Sequence, residues 1–285
     1  MSTKTKPRVI AIAAPTASGK TAYAIKLAKE IDGEIVSADS RIIYKGFNIA
    51  CAKPTSEEMQ GIKHYMIDIV EPEFEYSVAN YVDDATLAID DILKKGKTPI
   101  IAGGTGLYFK ALLEGWALPR VAPNKDLRDE LENYSIEQLL EKLKILDEKT
   151  FKTMIKEPKK RKLIRAIEVC TSLNEPMSNY SNKKEPLYEV KWIGIDMSRE
   201  ELYERVNKRV DIMVEQGILN ETKSLLEKHG RIKNLISTIG YNEIIQYLDN
   251  EISFDRAIEL IKQHSRNYAK RQLTWFKKNE NLGYK

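Results

Sequence analysis

Along the first third of the chain, short runs of uninterrupted apolar residues alternate with longer stretches whose apolar positions recur every three or four residues. Val9-Ile-Ala-Ile-Ala-Ala14 contains no polar residue, the mark of a strand buried on both faces. It leads through Pro15-Thr-Ala-Ser-Gly19-Lys20-Thr21 into a helix expected to reach about Ile31. Residues 34–38 predict a second strand ending at Asp39, and residues 65–70 a third. Ser77 is placed to N-cap a helix whose stripe is Val78, Tyr81, Val82, Ala85, Ile89, Ile92 and Leu93. Gly96 closes that helix, and residues 98–102 predict another strand running into Gly103-Gly-Thr-Gly106. Such alternation implies an α/β fold, a parallel sheet with helices on both faces.

Near Pro119 the pattern changes. From 124 to about 182 the signals are helical and strongly charged, with Ser135-Ile-Glu-Gln138 as a capping box ahead of Leu139, Leu140, Leu143 and Leu146. Residues 191–196 return as a buried strand, Ser198-Arg-Glu-Glu201 forms a second capping box, and a long final helix begins near Ser253. The chain therefore reads as an α/β core of residues 1–121 and 185–285 with C-terminal helices, carrying a helical insertion at 122–184.

Composition adds bounds rather than identity. With 42% hydrophobic and 31% charged residues among 285, a core can form without disulfides or structural metal. Cys51 and Cys170 make no framework and fit a reducing compartment, while His64, His229 and His264 lack metal-ligand spacing. No apolar run approaches the ~20 residues that span a bilayer, and residues 9–14 are too few for a signal-peptide core. The expectation is a cytoplasmic monomer with no membrane partner. A net charge of +4 names no ligand by itself.

The chemistry starts in the first turn. Ala14-Pro-Thr-Ala-Ser-Gly19-Lys20-Thr21 follows the phosphate-loop pattern G-x-x-x-x-G-K-[ST], with Ala14 in place of the first glycine. Backbone N–H groups and the positive end of the following helix can wrap a phosphate. Lys20 supplies a point charge, and the Thr21 hydroxyl can ligate magnesium. A P-loop identifies a diphosphate or triphosphate ligand, ATP among them, but not a reaction. Kinases, nucleotide hydrolases and prenyl transferases all use one. Asp39, at the carboxyl end of the second strand, suits a metal ligand, a general base or a helix cap. Thr105 lies in the glycine-rich turn facing the same crevice.

With these motifs in view, the sequence resembles the bacterial tRNA dimethylallyltransferases. The resemblance is carried by Pro15–Thr21, Ala38-Asp-Ser-Arg-Ile-Ile-Tyr-Lys45, Ala52-Lys-Pro54, Gly103-Gly-Thr-Gly-Leu-Tyr108, Ile239-Gly-Tyr241 and Lys270-Arg-Gln-Leu-Thr-Trp275, in the family's order. It implies a transfer of the dimethylallyl group from dimethylallyl diphosphate to the exocyclic amine of the adenosine 3′ to the anticodon. Asp39 would be the general base, with Thr105 at the reacting amine or bridging oxygen and Lys20 on the leaving group. Ala14, Pro15, Thr16, Ala17, Ser18, Gly19, Lys20 and Thr21 would hold the diphosphate, with magnesium on Thr21. The tRNA anticodon stem-loop would meet Asp39, Ser40, Arg41, Ile42 and Thr105 around the target base. Further tRNA contacts would come from Arg128, Arg161, Lys162, Arg165, Gly240, Tyr241, Lys270, Arg271, Gln272, Thr274 and Trp275. Departures from the family pattern fall at Arg161-Lys162, where Gln-Arg is usual, and at Ala50-Cys51, where Gly-Thr is common.

Two basic stretches suit a nucleic acid. One runs from Lys156 to Arg165; the other is the last helix, whose Lys262, Arg266 and Lys270 recur every four residues among Tyr268, Trp275 and Phe276. Charge runs of this kind are usually solvated faces, and the motif match tips the balance toward RNA. Rival readings are a free-nucleotide prenyltransferase, a P-loop small-molecule kinase and a non-catalytic RNA-binding protein. The insertion and the basic final helix argue against the first, and the joint presence of Lys20, Asp39 and Thr105 against the last.

Overall fold

The computed structural model describes residues 6–180, 185–279 and 281–284. The chain begins with β1 (Arg8–Ala13), α1 (Lys20–Glu30), β2 (Gly33–Ala38), the single turn α2 (Ser56–Met59), β3 (His64–Tyr65), α3 (Val78–Lys94), β4 (Thr98–Gly103) and α4 (Gly106–Leu113). Four helices follow: α5 (Lys125–Glu132), α6 (Ile136–Leu146), α7 (Glu148–Met154) and α8 (Lys160–Leu173). The remainder is β5 (Glu189–Gly194), α9 (Arg199–Glu215), α10 (Ile218–His229), α11 (Lys233–Ile236), α12 (Tyr241–Leu248), α13 (Phe254–Phe276) and β6 (Gly283–Tyr284).

The strands form a wholly parallel sheet in the order β3-β2-β4-β1-β5-β6. Its central strands are apolar on both faces because both faces are covered. Ile12, Ile35 and Ile100 pack on Ala24, Ile25 and Ala28 of α1. Ala11, Val36 and Ile101 point the other way, onto Tyr81, Ala85 and Ile89 of α3 and Phe109 of α4. The period-two alternation of strand side chains thus serves two cores at once. Gly103 stands in register with both Ala13 and Ala38, so β1, β2 and β4 end at one level. A Cβ at Gly103 would fall 2.2 Å from the Ala38 carbonyl oxygen, which is why this strand end is glycine. The loops that leave that edge carry the motifs.

The chain divides into two compact units, Met1–Leu113 with Leu187–Lys285, and Glu114–Pro186. The second is bounded more widely than residues 122–184. It has its own core, in which Leu131, Leu139, Leu143, Leu163 and Ile167 are buried against one another. Among the described residues no helix is long and apolar enough to cross a membrane.

Local signals held where a side chain could satisfy a helix end. Ser77 and Ser135 close full capping boxes with Asn80 and Gln138, and Ser253 accepts the Arg256 N–H at 3.2 Å. Two expectations are corrected. The third strand pairs only over His64–Tyr65, because Met66 and Asp68 adopt left-handed φ of 65° and 53° and turn the chain; Val70 keeps one isolated bridge to Tyr44. At Ser198 the hydroxyl accepts the Glu201 N–H at 3.1 Å, but the Glu201 carboxylate takes Arg205 instead of closing the box.

Candidate active site

The phosphate loop joins β1 to α1 at the level edge. Ala14 is buried at the strand end with ordinary backbone angles, so the missing first glycine costs nothing there. The left-handed turns fall on Ala17 (φ 62°) and Gly19 (φ 84°). Ser18 donates its N–H to the Pro15 carbonyl at 3.4 Å and buries its hydroxyl. Lys20 opens α1, and its Nζ donates to the Pro15 oxygen at 3.3 Å, folding the ammonium over the loop. Thr21 is exposed beside it. Burial strips water from Lys20, and Arg209 nearby disfavours its charge further, so its pKa falls from 10.5 to about 8 despite the opposing pull of Asp39.

One strand away, Asp39 follows β2. Its Oδ1 accepts the Arg41 N–H at 2.8 Å, a local turn that fixes the carboxylate at the edge. The Thr105 N–H donates to the Ala38 carbonyl at 3.0 Å, while the Thr105 hydroxyl accepts the Ser40 N–H at 3.2 Å. The two motif turns are therefore stitched together, which brings Asp39 and Thr105 side by side. Burial and the Asp39 charge push the phenol of Tyr268, on α13, up to about 12.

A cavity of about 980 Å³ opens here, lined by Thr16, Gly19–Thr21, Asp39–Ile42, Arg209, Tyr268 and Arg271. Arg209 was not among the expected site residues. It reaches in from α9, donating from Nη1 to the Thr16 hydroxyl at 2.6 Å and from Nη2 to the Cys51 carbonyl at 3.2 Å. Its buried Nε–H finds no partner among the described residues. Burial lowers its pKa, and the Asp39 charge opposes that shift. One of three arginines in the charged helix Arg199–Glu215, it carries no sequence mark that separates it from a solvated face.

Other expected residues are placed differently. Tyr241 is fully buried, donating its hydroxyl to Glu221 at 2.7 Å, and Gly240 (φ 101°) is buried beside it. Gln272 is buried and spends both ends of its amide inside the protein. Trp275 packs against the core and Phe276 belongs to it, so the aromatics of the last helix are mostly structural. On its supposed basic face, Lys262 pairs with Asp211 at 2.5 Å and Arg266 donates to Asn207 at 2.6 Å, both on α9. Lys270, Arg271 and Thr274 remain exposed.

Within the second unit, Arg128 and Arg165 converge on Glu168, which is wholly buried. Arg128 donates from Nε at 2.7 Å and from Nη2 at 2.8 Å, Arg165 from Nη1 at 2.5 Å, and the Asn124 N–H adds a fourth bond at 2.7 Å. These bonds hold the Glu168 carboxyl below its usual range against the opposing effect of burial. Both arginines are thus committed to a buried anion, whereas Arg161 and Lys162 are exposed on α8.

A parallel sheet, a phosphate loop at its carboxyl edge and a carboxylate on the adjacent strand define a P-loop α/β protein built to hold a phosphorylated ligand next to a basic group. Comparison with known proteins narrows the class. Residues 42–279 match the model of the IPP transferase family. The chain is 47% identical to the tRNA dimethylallyltransferase of Acetivibrio thermocellus, covering 96% of this chain and 90% of that protein. It is 42% identical to the Bacillus mycoides enzyme of the same name, covering 98% and 90%. Its fold matches the crystal structure of a tRNA delta(2)-isopentenylpyrophosphate transferase from Staphylococcus epidermidis with a TM-score of 0.71 at 40% identity, covering 98% of this chain and 93% of that one. A eukaryotic dimethylallyltransferase acting on tRNA gives 0.78 at 27% identity, covering 95% and 70%. The chain belongs to the IPP transferase family.

Proposed function

We propose that the protein is a tRNA prenyltransferase, moving the dimethylallyl group of dimethylallyl diphosphate onto the exocyclic amine of the adenosine 3′ to the anticodon. Family membership supports this reading, and one observation carries it: Lys20, Arg209 and Asp39 line a single cavity at the sheet's carboxyl edge. The loop amides, Lys20 and the unpartnered Nε–H of Arg209 are donors for diphosphate oxygens.

An adenine amine is a weak nucleophile because its lone pair is delocalised into the ring. As the new C–N bond forms, the C–O bond to diphosphate breaks and its electron pair leaves on oxygen. The amine proton passes to Asp39, whose Oδ1 already holds the Arg41 N–H, leaving Oδ2 as the acceptor. Positioned proton transfer of this kind contributes roughly 10²–10⁴-fold. The Thr105 hydroxyl accepts from Ser40 and so can turn its own proton toward the reacting atoms. Charge growing on the leaving diphosphate is met by Lys20 and the loop, more strongly in the transition state than before it.

Magnesium fits the residues present as an ion held largely by its substrate. Thr21 offers one hydroxyl, and among the described residues no group of three or more His, Cys, Asp or Glu forms a cage. When bound it would neutralise charge on the departing diphosphate. The target base must leave its stack to reach the cavity; exposed Lys270 and Arg271 of the first unit, and separately exposed Arg161 and Lys162 of the second, are cations available to tRNA phosphates. Incubation with unmodified tRNA and labelled dimethylallyl diphosphate should transfer label to tRNA. Phosphorylation of an alcohol from ATP, with no prenyl transfer, would overturn the reading.

A further inference from the structure

Gln272 lies only 5% exposed where the phosphate loop meets the turn after β4. Its amide oxygen accepts the Thr16 N–H at 2.8 Å, and its amide nitrogen donates to the Gly104 carbonyl at 2.9 Å. The fit leaves no slack: a Cβ on Gly104 would lie 2.2 Å from Gln272 Nε2. Thr16 is held from a second side by Arg209 on its hydroxyl at 2.6 Å. The next residue, Ala17, is kept at φ 62°, a left-handed conformation that an alanine rarely enters unaided.

An N–H at the start of a phosphate loop can be aimed at the anion or away from it. Here the Thr16 N–H is spent on Gln272, so the loop's path through Ala17 and Ser18 to Gly19 is fixed by a side chain 256 residues away in sequence. The Gln272 amide suits the place. One planar group must accept from Thr16 and donate to Gly104 while staying neutral, because a carboxylate would repel the phosphate and an ammonium could not accept.

Resting on the reading of this site as a diphosphate cradle, we propose that Gln272 is a positioning residue that sets the phosphate loop in its anion-receiving shape before the donor arrives. It touches no reacting atom. Its effect is preorganisation, so it should appear in donor affinity more than in the chemical step.

The test is calorimetric titration of the full-length protein with inorganic pyrophosphate and magnesium, beside steady-state rates and a binding curve for the anticodon stem-loop. Gln272→Met fills the same volume without either hydrogen bond. It should bind pyrophosphate about tenfold or more weakly and raise the donor KM to match, with a smaller change in kcat and unchanged RNA affinity. A merely structural role would instead lower kcat through loss of active protein, with KM intact. Should Gln272→Met fail to fold, Gln272→Asn keeps a neutral amide too short to reach both Thr16 and Gly104, and the same selective loss is expected. Equal pyrophosphate affinity in wild type and variant would overturn the role of Gln272 while leaving the cradle standing. No pyrophosphate binding by the wild type would overturn the cradle, and this inference with it.

Discussion

Raising the pH should disarm the phosphate loop within a narrow window, because Lys20 titrates far below an ordinary lysine. Its pKa of about 8 in the free protein means a charged fraction of about 0.9 at pH 7 and about 0.1 at pH 9. If only the ammonium form captures diphosphate, the donor KM should rise about twofold by pH 8 and about tenfold by pH 9. Bound diphosphate stabilises the ammonium and raises its pKa, so kcat at saturating donor should stay level over the same range. Neighbouring groups leave the window clear: Tyr268 is pushed up to about 12, and burial drives the Cys51 thiol well above its usual range. The donor's phosphates are fully ionised above about pH 7. Stability carries the opposite sign. The fold disfavours charged Lys20, so this group costs stability below about 8, and the cost fades as pH rises from there toward 10.5. Initial rates at saturating tRNA across this range would measure both parameters. A donor KM flat through pH 9.5, or a fall in kcat alone, would refute the placement of Lys20 on the diphosphate.

Asp39→Asn keeps an oxygen for the Arg41 N–H but cannot take the amine proton, so kcat should fall by roughly 10²–10⁴-fold with tRNA affinity retained; near-normal turnover would remove the base assignment. Glu168→Ala should destabilise the second unit by about 3–5 kcal/mol in a urea melt, since it leaves two guanidinium groups facing a vacated buried site. Glu168→Gln should cost less, and equal losses would show that charge plays no part. Lys162→Ala and Lys270→Ala, both exposed, should each weaken tRNA binding and reduce the slope of log affinity against log salt by about one; an unchanged slope would mark those positions as solvated only.

Much of the α/β core was legible because strands buried on both faces and capped helices leave strong local patterns. Residues 9–14 and 98–102 read as strands since nearly every side chain there is apolar, and Ser77, Ser135 and Ser253 sit where three orphan helix ends begin. The phosphate loop, Asp39 and Thr105 were legible for a related reason: their geometry follows from the level ends of β1, β2 and β4. What escaped depends on long-range packing. Met66 and Asp68 look like strand residues until their backbone turns left-handed. Arg209 and Gln272 sit on helices among other polar residues, and only the fold aims them inward. Conversely, Lys262 and Arg266 read as a free basic face because their partners on α9 lie more than fifty residues upstream. Polar side chains carry no mark of direction, so a motif residue such as Gln272 suggests contact with a ligand although its amide is spent on Thr16 and Gly104 inside the protein.

If the loop holds a prenyl donor, the bond broken beside Asp39 is its C–O bond and not a P–O bond. The most direct measurement uses dimethylallyl diphosphate carrying heavy oxygen at the bridging position, with mass spectrometry of both products after one turnover on unmodified tRNA. Prenyl transfer puts all heavy oxygen in the released diphosphate and a prenyl group on the amine of the adenosine beside the anticodon. Heavy oxygen retained with the five-carbon fragment, or a phosphorylated acceptor, would contradict it.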